Sequence, residues 1–547
     1  MRHHRYNPDF NFVVEPEDFN KYSDKELLQY CLGATMYMPG IKDFTMKILN
    51  KEMLGLTSMV FCFEDACSEE LVPAAEQNVL HVLDALSTAL DTGELTYDYL
   101  PLIFCRVRNQ QQFEHFAEQL TPHHVKVLTG FNFPKFNAHN AEVYLYYLQK
   151  LNDKFGEIIY GMPIIEDPEV AYRESRMSEL VGIKKILDKY KEIILQVRVG
   201  ATDFSSCFGV RRGVDYSIYD IMTVREILAD IVNLFGRNND YVISGPVWEY
   251  FRVSKQMMFE TLPTHNIDDC LMKRIPIVNN EIDGLLREVI LDKANGFVGR
   301  TVIHPSHIKY VNALQAVTKE EYNDAVSILG SEKGGVFKGE CGNKMNEVKP
   351  HTTWAQKIYM RSRGYGVIEN ENDFINVFGK MKKIRTPISE DVAKNLKVGD
   401  LILISGKIYC GRDAVLPKIC EMIESGELDK MEIFLRGSVI FHTAVSPAGV
   451  GPTSSNKLEI EHSFGPLSKA GVKIHLGKGK IGDDTIKILE EENSVYAVIP
   501  PVTALLGNNT IEQKLVAFPE LGMEAFYELT VEDYPAIVAA AHNNSVY

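Results

Sequence analysis

The segment EIIYGMPIIEDPEVAYRESRMSELVGIKKILDKYKEIILQVRVGATDF, residues 157–204, contains one complete strand–helix–strand unit. Two apolar, β-rich runs of strand length, Glu157–Ile165 and Ile193–Val199, flank the amphipathic stretch Arg176–Tyr190. This alternation is typical of a parallel sheet, because the helix carries the chain back to the edge where the next strand begins. A carboxylate follows each run: Glu166 closes the first, and Asp203 comes shortly after the second.

The same alternation extends through the first 300 or so residues. Further predicted strands are Thr57–Phe63, Leu100–Val107, Lys126–Phe131, Tyr241–Ile243 and Gly299–Ile303. Further predicted helices are Val72–Leu90, Ala141–Lys154 and Val224–Phe235. This many units predict an α/β fold of the closed (β/α)8 TIM-type barrel kind rather than an open doubly wound sheet.

A change of composition after the barrel predicts a second domain. The Gly- and Lys-rich residues 331–346 predict a loop, His351–Arg363 a helix, and the charged residues 366–385 a linker. Beyond the linker, short strands alternate with Gly and Pro turns and occasional helices. The predicted domains are therefore a barrel over residues 1–365 and a smaller α/β domain over residues 386–547.

Bulk composition narrows the class of protein. The 547 residues carry 58 basic and 74 acidic side chains, for a net charge of −16. This balance argues against a nucleic-acid partner or an anionic membrane, but local arginines can still bind an anionic substrate. No apolar run is long enough to cross a bilayer, the start lacks a secretory signal, and the nine cysteines form no C-x-x-C pair. We expect a cytoplasmic protein with reduced thiols.

Polar side chains recur where the predicted strands end, which is where TIM barrels carry their chemistry. They are Glu64, Asp65, Arg106, Arg108, Lys135, Glu166, Asp203 and His304. Two carboxylates at one barrel mouth, Glu166 and Asp203, suit Mg²⁺, which takes oxygen ligands. On spacing alone, capping a helix or pairing with an arginine is the commoner role for each.

Motifs in the same region resemble the citrate lyase β-subunit family of the HpcH/HpaI aldolase superfamily. They are Tyr37-Met-Pro-Gly, Phe63-Glu-Asp-Ala, Arg106-Val-Arg-Asn, Phe133-Pro-Lys, Ile164-Ile-Glu, Gly200-Ala-Thr-Asp-Phe and Val302-Ile-His-Pro. The segments FGVRRGVDYSIYDI, SGPVWEYF and NKMNEVKPHTTWA resemble a citrate-lyase-like branch found beside tellurium-resistance genes. The resemblance implies a carbon–carbon lyase in which Glu166 and Asp203 bind Mg²⁺, the metal chelates a 2-oxo or 2-hydroxy acid, and Arg106 faces the enolate.

Two departures from the family pattern qualify this expectation. The chain has Cys62-Phe63-Glu64-Asp65-Ala66 where the family usually has Asp-Leu-Glu-Asp-Ala, and His307 replaces a common Gln. We therefore expect Glu64 and Asp65 to be structural, and we leave open whether the substrate is a free acid, a CoA thioester or a carrier-protein thioester. Lys135, His304 and His351 are secondary candidates.

Three stretches of the second domain favour oxyanions: Gly411-Arg-Asp, Gly451-Pro-Thr-Ser-Ser-Asn-Lys and Gly477-Lys-Gly. The segments VGDLILISGKIYCGRDA, SPAGVGPTSSNKLE, HLGKGKI and AFPELGMEAFYELTVEDYPAIV resemble the β-subunit, or C-terminal swivelling domain, of class I fumarases and tartrate dehydratases. The resemblance implies that Arg412, Lys457 and Lys478 bind substrate and that Thr453 takes an acid–base part. Lys457 stands where the family usually has Arg, and Leu416 where it has His.

In that family a [4Fe–4S] cluster lies on the other subunit, and the cysteines here show no cluster spacing. We expect a separate iron–sulfur α-subunit, and also a homo-oligomer of this chain. The leading interpretation is a bifunctional lyase, with a Mg²⁺-dependent carbon–carbon lyase fused to the substrate-binding half of a dicarboxylate hydro-lyase. The alternative is a ligand-binding or complex-organising protein whose C-terminal domain is not catalytic.

Overall fold

The computed structural model describes residues 1–8, 10–251, 280–331, 335–339, 344–371, 373–379, 381–428, 433–446, 449–450, 457–499 and 509–545. These residues fall into two compact units, one ending at Phe378 and the other beginning at Gly379.

The first unit is built on a parallel sheet of seven strands. In chain order they are β1 (Ala34–Pro39), β2 (Ser58–Cys62), β3 (Leu102–Arg106), β4 (Leu128–Phe133), β5 (Tyr160–Ile165), β6 (Arg198–Val199) and β7 (Arg300–Val302). The strands lie in the order β6-β5-β4-β3-β2-β1-β7. The segment from Ile243 to Gly245 lies between the two edge strands. Ile243 forms a parallel bridge to Val197, next to β6, and Gly245 forms one to Arg300 of β7, so the sheet curls into a closed ring. The predicted (β/α)8 architecture is confirmed.

Helices connect these strands and cover the sheet. The described ones up to β7 are Lys25–Leu28, Thr45–Leu49, Val72–Thr92, Gln110–Glu118, Pro122–Val125, Ala141–Phe155, Pro168–Ala171, Arg173–Lys189, Ala201–Cys207, Met222–Phe235 and Asn280–Ala294. The Val72–Thr92 helix shows the principle, because Ala75, Val79, Val82 and Leu86 recur at helical spacing and are all buried. The helix ends where Gly93 adopts the left-handed conformation, with φ of 78°.

The barrel strands are continuous apolar runs because they are buried on both faces. Every residue of β2 to β5 is buried, as expected for parallel strands between helices and a packed barrel interior. The prediction of one strand over residues 193–199 was too long, because Lys191–Ile193 forms a 3₁₀ turn and β6 begins at Arg198. Strand β1, which pairs with both β2 and β7, was not predicted.

The first unit continues past the barrel. Helices Ile308–Leu314, Lys319–Leu329, Val348–Tyr365 and Asp373–Phe378 alternate with strands β8 (Val317–Thr318), β9 (Val336–Lys338), β10 (Met345–Glu347) and β11 (Val367–Ile368). Strands β9 and β10 pair antiparallel within the segment predicted as a loop. The segment predicted as a linker, residues 366–385, contains β11, the Asp373–Phe378 helix and the first strand of the second unit.

The second unit contains a mixed sheet of eight strands. They are β12 (Met381–Arg385), β13 (Leu401–Gly411), β14 (Val439–His442), β17 (Ile474–Gly477), β18 (Val495–Val498), β19 (Thr510–Ala517), β20 (Phe526–Ala541) and β21 (Asn544–Ser545). The short strands β15 (Val445–Ser446) and β16 (Gly449–Val450) form a separate pair. Strands β12, β13, β14, β17 and β18 run parallel to one another, so their carboxyl ends lie at the same edge.

Helices Glu390–Lys394, Leu416–Ser425, Lys457–His462, Phe464–Lys469 and Asp483–Glu491 accompany this sheet. Its core is apolar and separate from that of the barrel, with Ile404, Phe441, Ile474 and Val538 among its fully or almost fully buried members. The second domain is therefore an α/β unit, as predicted. Among the described helices of both units, none has the length and apolar character needed to cross a lipid bilayer.

Candidate functional site

The polar residues predicted at the strand ends gather at the carboxyl-terminal mouth of the barrel. Glu64 and Asp65 follow β2, Arg106 is the last residue of β3, and Glu166 directly follows β5. Asp203 lies in the first turn of the Ala201–Cys207 helix, just after β6. Parallel strands place their carboxyl ends together, which brings residues far apart in sequence to one site.

A cavity of about 430 Å³ opens at this mouth, within the size range of small-molecule sites. Arg106, Glu166 and Asp203, the three site residues predicted for the barrel, all line it. Its other polar lining residues are Tyr37, Asp65, Arg198, Thr202 and Thr301.

Glu166 is the most enclosed carboxylate of the cavity, with 3% of its surface exposed. Burial, opposed by the charge of Arg106 and reinforced by that of Asp203, raises the pKa of its carboxyl to about 7. Burial and the charge of Asp65 likewise raise the pKa of Asp203. The side chains of Asp203 and Glu166 are hydrogen-bonded to each other.

Arg106 links three of the acidic side chains. Its Nη2 donates to Glu166 Oε1 at 3.0 Å and forms an ion pair with Glu64 Oε2 at 2.6 Å, while Nη1 donates to Asp65 Oδ2 at 3.2 Å. The guanidinium is nearly buried, and its Nε has no hydrogen-bond partner among the described residues. Arg106 is thus held rigidly beside the predicted metal ligands.

Lys135 completes the cluster from the turn after β4. Its ammonium contacts Glu64, and its backbone N–H donates to Glu166 Oε1 at 3.0 Å. The residue has a φ of 46°, a left-handed conformation that costs energy for a non-glycine residue and is found most often at functional sites. Lys135, a secondary candidate, therefore helps to position Glu166. Glu64 and Asp65, expected to be structural, contact the same residues.

This donor set fits a divalent cation. The cluster has four carboxylates, Glu64, Asp65, Glu166 and Asp203, against two cations, Arg106 and Lys135, which leaves an excess of two negative charges when all are ionised. Within the described ranges no three or more His, Cys, Asp or Glu side chains are arranged to hold a metal. Mg²⁺ needs fewer, because it keeps several waters and is commonly bound through one or two carboxylates.

Gly200 is required for Glu166 to occupy its position. A Cβ on residue 200 would lie 2.2 Å from Glu166 Oε2 and 2.5 Å from its Cβ. We expect Gly200→Ala to displace the carboxylate and weaken Mg²⁺ binding by about 10- to 100-fold, as loss of a residue that orients a ligand does. Calorimetric Mg²⁺ titration measures this effect. Gly213→Ala is the matched control, because a Cβ there meets only Tyr216 at an ordinary 3.5 Å; equal losses in both variants would contradict this role for Gly200.

Sequence reasoning missed Arg198, which lines the same cavity from β6. Its residue surface is 1% exposed, and its guanidinium donates to Thr35, Gln196 and Thr301. The sequence feature that could have indicated Arg198 is its charge within a largely apolar predicted strand, Ile193–Val199.

The two secondary histidine candidates do not line the cavity and instead cap local structure. His304 Nδ1 accepts from Ser306 N at 3.2 Å, and its ring stacks on Phe251 at 4.6 Å. His351 Nδ1 accepts from Glu347 N at 3.1 Å, at the start of the Val348–Tyr365 helix. Arg212, in the branch-specific FGVRRGVDYSIYDI segment, is a buried structural residue that donates to Glu288 at 2.6 Å.

In the second unit, two of the four predicted residues can be located with their side chains. Arg412 follows β13 and Lys478 follows β17, so both lie at the carboxyl edge of the parallel strands, on either side of β14. That edge is where open α/β sheets bind ligands. Thr453 lies outside the described residues. Lys457 begins the Lys457–His462 helix, but its side chain is outside the described part.

Arg412 is held by acidic neighbours. Its Nε lies 2.6 Å from Asp413 Oδ1 and 3.2 Å from Glu524 Oε1, within the FPELGMEA segment. Leu416, where the resembling family has His, is fully buried in an apolar cluster. His442, the last residue of β14, contacts His475 Nδ1 at 3.0 Å, and burial lowers its pKa to about 3. This edge therefore carries a neutral histidine that sequence reasoning did not single out.

Two protein-family models match the chain. The model described as a C–C bond lyase of the TIM-barrel fold matches residues 26–367, and the model of the fumarase C-terminus matches residues 367–547.

Curated relatives match the C-terminal part. The putative L(+)-tartrate dehydratase subunit beta of Methanocaldococcus jannaschii is 35% identical over 169 residues, which cover 28% of this chain and 85% of the relative. The L(+)-tartrate dehydratase subunit beta of Escherichia coli K12 is 29% identical, with 30% of this chain and 87% of the relative covered. The putative class I fumarate hydratase of Geobacillus stearothermophilus is 31% identical, with 30% of this chain but only 33% of the relative covered.

Solved structures also match this chain, at low identity. CitE from Mycobacterium tuberculosis, in complex with magnesium, acetoacetate and coenzyme A, aligns with a TM-score of 0.38 at 15% identity, covering 61% of this chain and 99% of that chain. Haloferax volcanii malate synthase, as its magnesium/glyoxylate complex, aligns with a TM-score of 0.37 at 12% identity, covering 62% and 89%.

Proposed function

Because the chain belongs to the TIM-barrel carbon–carbon bond lyase family, and its C-terminal part to the fumarase C-terminus family, we propose that it is a bifunctional lyase. The barrel cleaves or forms a carbon–carbon bond next to the carboxylate of a 2-oxo or 2-hydroxy acid, free or as a thioester, with Mg²⁺ as cofactor. The second domain binds a dicarboxylate for hydration or dehydration.

One observation carries the barrel assignment. Glu166, Asp203 and Arg106 line one cavity at the catalytic end of the barrel, within a cluster that has two more carboxylates than cations. Two of the carboxylates, Glu64 and Glu166, are buried against one buried cation, Arg106, and a purely structural cluster gains nothing from this imbalance, because unpaired charge costs free energy in a low-dielectric site. A divalent cation held by Glu166 and Asp203 neutralises that excess.

The chain's own residues divide the work around this cation. When bound, Mg²⁺ polarises a substrate carbonyl or hydroxyl oxygen. Arg106 offers N–H donors to the negative charge that develops on the enolate carbon–oxygen group as the carbon–carbon bond breaks. Glu64 fixes the guanidinium, and the Lys135 backbone N–H fixes Glu166, so little reorganisation is needed during the reaction.

A product screen tests the barrel activity directly. The purified chain is incubated with a panel of 2-oxo and 2-hydroxy acids and their CoA thioesters, with Mg²⁺ or with EDTA, and products are identified by mass spectrometry. We expect cleavage of at least one compound with Mg²⁺ only. Metal-independent cleavage would contradict the proposed mechanism.

Arg106→Lys separates a transition-state role from a binding role. Lysine keeps the charge but loses the planar, multidentate donor set. We expect kcat to fall by about 10²- to 10³-fold, as when an oxyanion donor is lost, while KM changes by less than about threefold. Arg108→Lys is the matched control, because Arg108 donates to the backbone carbonyls of Phe63 and Cys67 and does not line the cavity. A change confined to KM would make Arg106 a binding residue.

The second domain is proposed as the substrate-binding half of a hydro-lyase whose iron–sulfur half is a separate α-subunit. Supporting this, the chain covers 85% and 87% of two relatives named as beta subunits, but only 33% of a putative class I fumarate hydratase. The location of Arg412 and Lys478 at one sheet edge also supports it. Thr453, Lys457 and the acid–base step remain part of the proposal.

The two chemistries can be consecutive. Hydration of an unsaturated diacid gives a 2-hydroxy diacid, and a 2-hydroxy diacid, or a derivative of it, is the class of compound that a carbon–carbon lyase can split. Fusing both modules in one chain keeps their abundance equal.

A further inference from the structure

Arg198 is a buried cation on the wall of the barrel cavity. It begins β6, directly before the turn that carries Asp203, and only 1% of its residue surface is exposed. It lines the cavity together with Glu166, Asp203 and Thr301. The side chain therefore faces the proposed substrate space and not bulk solvent.

Only neutral groups contact its guanidinium among the described residues. Nη1 donates to Thr35 Oγ1 at 3.3 Å and Gln196 Oε1 at 3.2 Å, and Nη2 donates to Thr301 Oγ1 at 2.7 Å. The Nε hydrogen has no partner there, and the Tyr37 ring centroid is 5.7 Å away. Within the described ranges, no carboxylate forms an ion pair with Arg198.

Most other buried arginines of the same unit pair with a carboxylate, and the exception, Arg361, donates to the backbone carbonyls of Gln315 and Ala316 and does not line the cavity. Arg300 pairs with Glu288 at 2.5 Å and Asp292 at 3.1 Å, and Arg176 pairs with Asp230 at 2.9 Å. Burying a guanidinium without an anion is costly, because an arginine does not lose its proton to relieve the penalty. Arg198 is the buried arginine that both lines the cavity and has only hydroxyl and amide partners among the described residues, so it provides a place for an external anion.

We propose that Arg198 binds the second carboxylate of the barrel's substrate, which makes that substrate a 2-oxo or 2-hydroxy dicarboxylic acid. This inference rests on the proposed lyase function and specifies its substrate class. The cavity then has two anion-binding ends: the cation at Glu166 and Asp203 takes the 2-oxo or 2-hydroxy acid group, and Arg198 takes the distal carboxylate. A monocarboxylic acid would leave Arg198 unneutralised.

A pair of stable probes that differ only in the distal carboxylate tests this directly. L-malate and L-lactate are titrated calorimetrically into the full chain with saturating Mg²⁺ and again with EDTA, and only the Mg²⁺-dependent binding is assigned to the barrel, because the second domain is itself proposed to bind a dicarboxylate. We expect malate to bind the wild type at least about tenfold more tightly, because a hydrogen bond to a charged partner is worth about that factor or more. Arg198→Gln is expected to bring the two affinities within about threefold of each other, mainly by weakening malate binding.

The controls separate a binding role from a structural one. Arg225→Gln removes the same charge from an exposed position of the Met222–Phe235 helix and should keep the malate preference. Arg198→Lys retains the charge and should keep a weaker preference, which provides a second variant if Arg198→Gln does not fold. An unchanged malate preference in a folded Arg198→Gln variant would overturn the inference.

The wild type alone can also overturn it. If Mg²⁺ binds but the chain does not distinguish malate from lactate, including the case in which neither binds, the role of Arg198 is refuted while the metal site stands. If Mg²⁺ itself does not bind, the proposed lyase function fails first. Direct titration of Mg²⁺ without either acid distinguishes these two failures.

Discussion

Glu166→Gln and Asp203→Asn should each lower the Mg²⁺ affinity of the barrel by at least about 100-fold and abolish its lyase turnover. Changing a group that merely orients a metal ligand already costs about 10- to 100-fold, so changing a ligand itself should cost at least as much. Each substitution keeps the shape of the side chain and removes one of the two carboxylates proposed to hold the cation.

The fold should survive both changes. Burial raises the pKa of Glu166 to about 7 from the ordinary 4.5, so the ionised form is disfavoured in the metal-free folded chain. The folded state holds the Glu166 proton more tightly than the unfolded state, so it loses stability as pH rises from 4.5 to about 7. A neutral amide at this position avoids that penalty at pH 8. We therefore expect no loss of melting temperature without metal, and stabilisation by Mg²⁺ only in the wild type.

Glu169→Gln provides the matched control. Glu169 is three residues further on, exposed, and not in the cavity. Its substitution should leave Mg²⁺ affinity unchanged in the same calorimetric titration. Wild-type Mg²⁺ affinity in both Glu166→Gln and Asp203→Asn would refute the metal assignment.

The barrel mouth could be predicted because periodicity and strand ends are local signals. Apolar runs fix where parallel strands lie, and the first polar residue after each run marks the carboxyl edge. Glu166 and Arg106, 60 positions apart, were therefore expected together, and their side chains lie 3.0 Å apart. Strand β1 was not predicted, although three residues of the Tyr37-Met-Pro-Gly motif belong to it.

What the sequence did not reveal depends on contacts between distant segments. The neutral surroundings of Arg198 require Thr35 from β1 and Thr301 from β7, which only closure of the barrel brings together. The contact between Lys135 and Glu64 likewise joins turns after different strands. The hairpin of β9 and β10 lies in a Gly-rich segment whose composition predicts a loop, because pairing is decided by register rather than by composition.

The purified chain alone should show no fumarase-type hydratase activity and carry no iron–sulfur cluster. Expelling hydroxide while removing a weakly acidic proton needs a strong Lewis acid on the leaving oxygen. The predicted set of Arg412, Thr453, Lys457 and Lys478 offers hydrogen bonds and positive charge but no thiolate ligands, and the carboxylates of the barrel suit a hard cation. Fumarate hydration assays and iron analysis of anaerobically purified protein measure both quantities. A brown, iron-loaded chain, or fumarate hydration without a partner, would contradict this expectation.

Adding a matching iron–sulfur α-chain, reconstituted anaerobically, should then give hydration of a small unsaturated diacid. Arg412→Ala should lower the rate of that hydration by at least about 100-fold. Because Arg412 and Asp413 are largely buried, the melting temperature of the variant is measured alongside, so that loss of the diacid contact is separated from loss of the fold. Arg436→Ala, at an exposed position of the same unit, is the control that changes charge equally and should retain activity.

Hydratase activity unaffected by Arg412→Ala would mean that this sheet edge does not bind the diacid. A complex that forms with the α-chain but stays inactive would favour the alternative in which the second domain organises a complex without catalysing hydration.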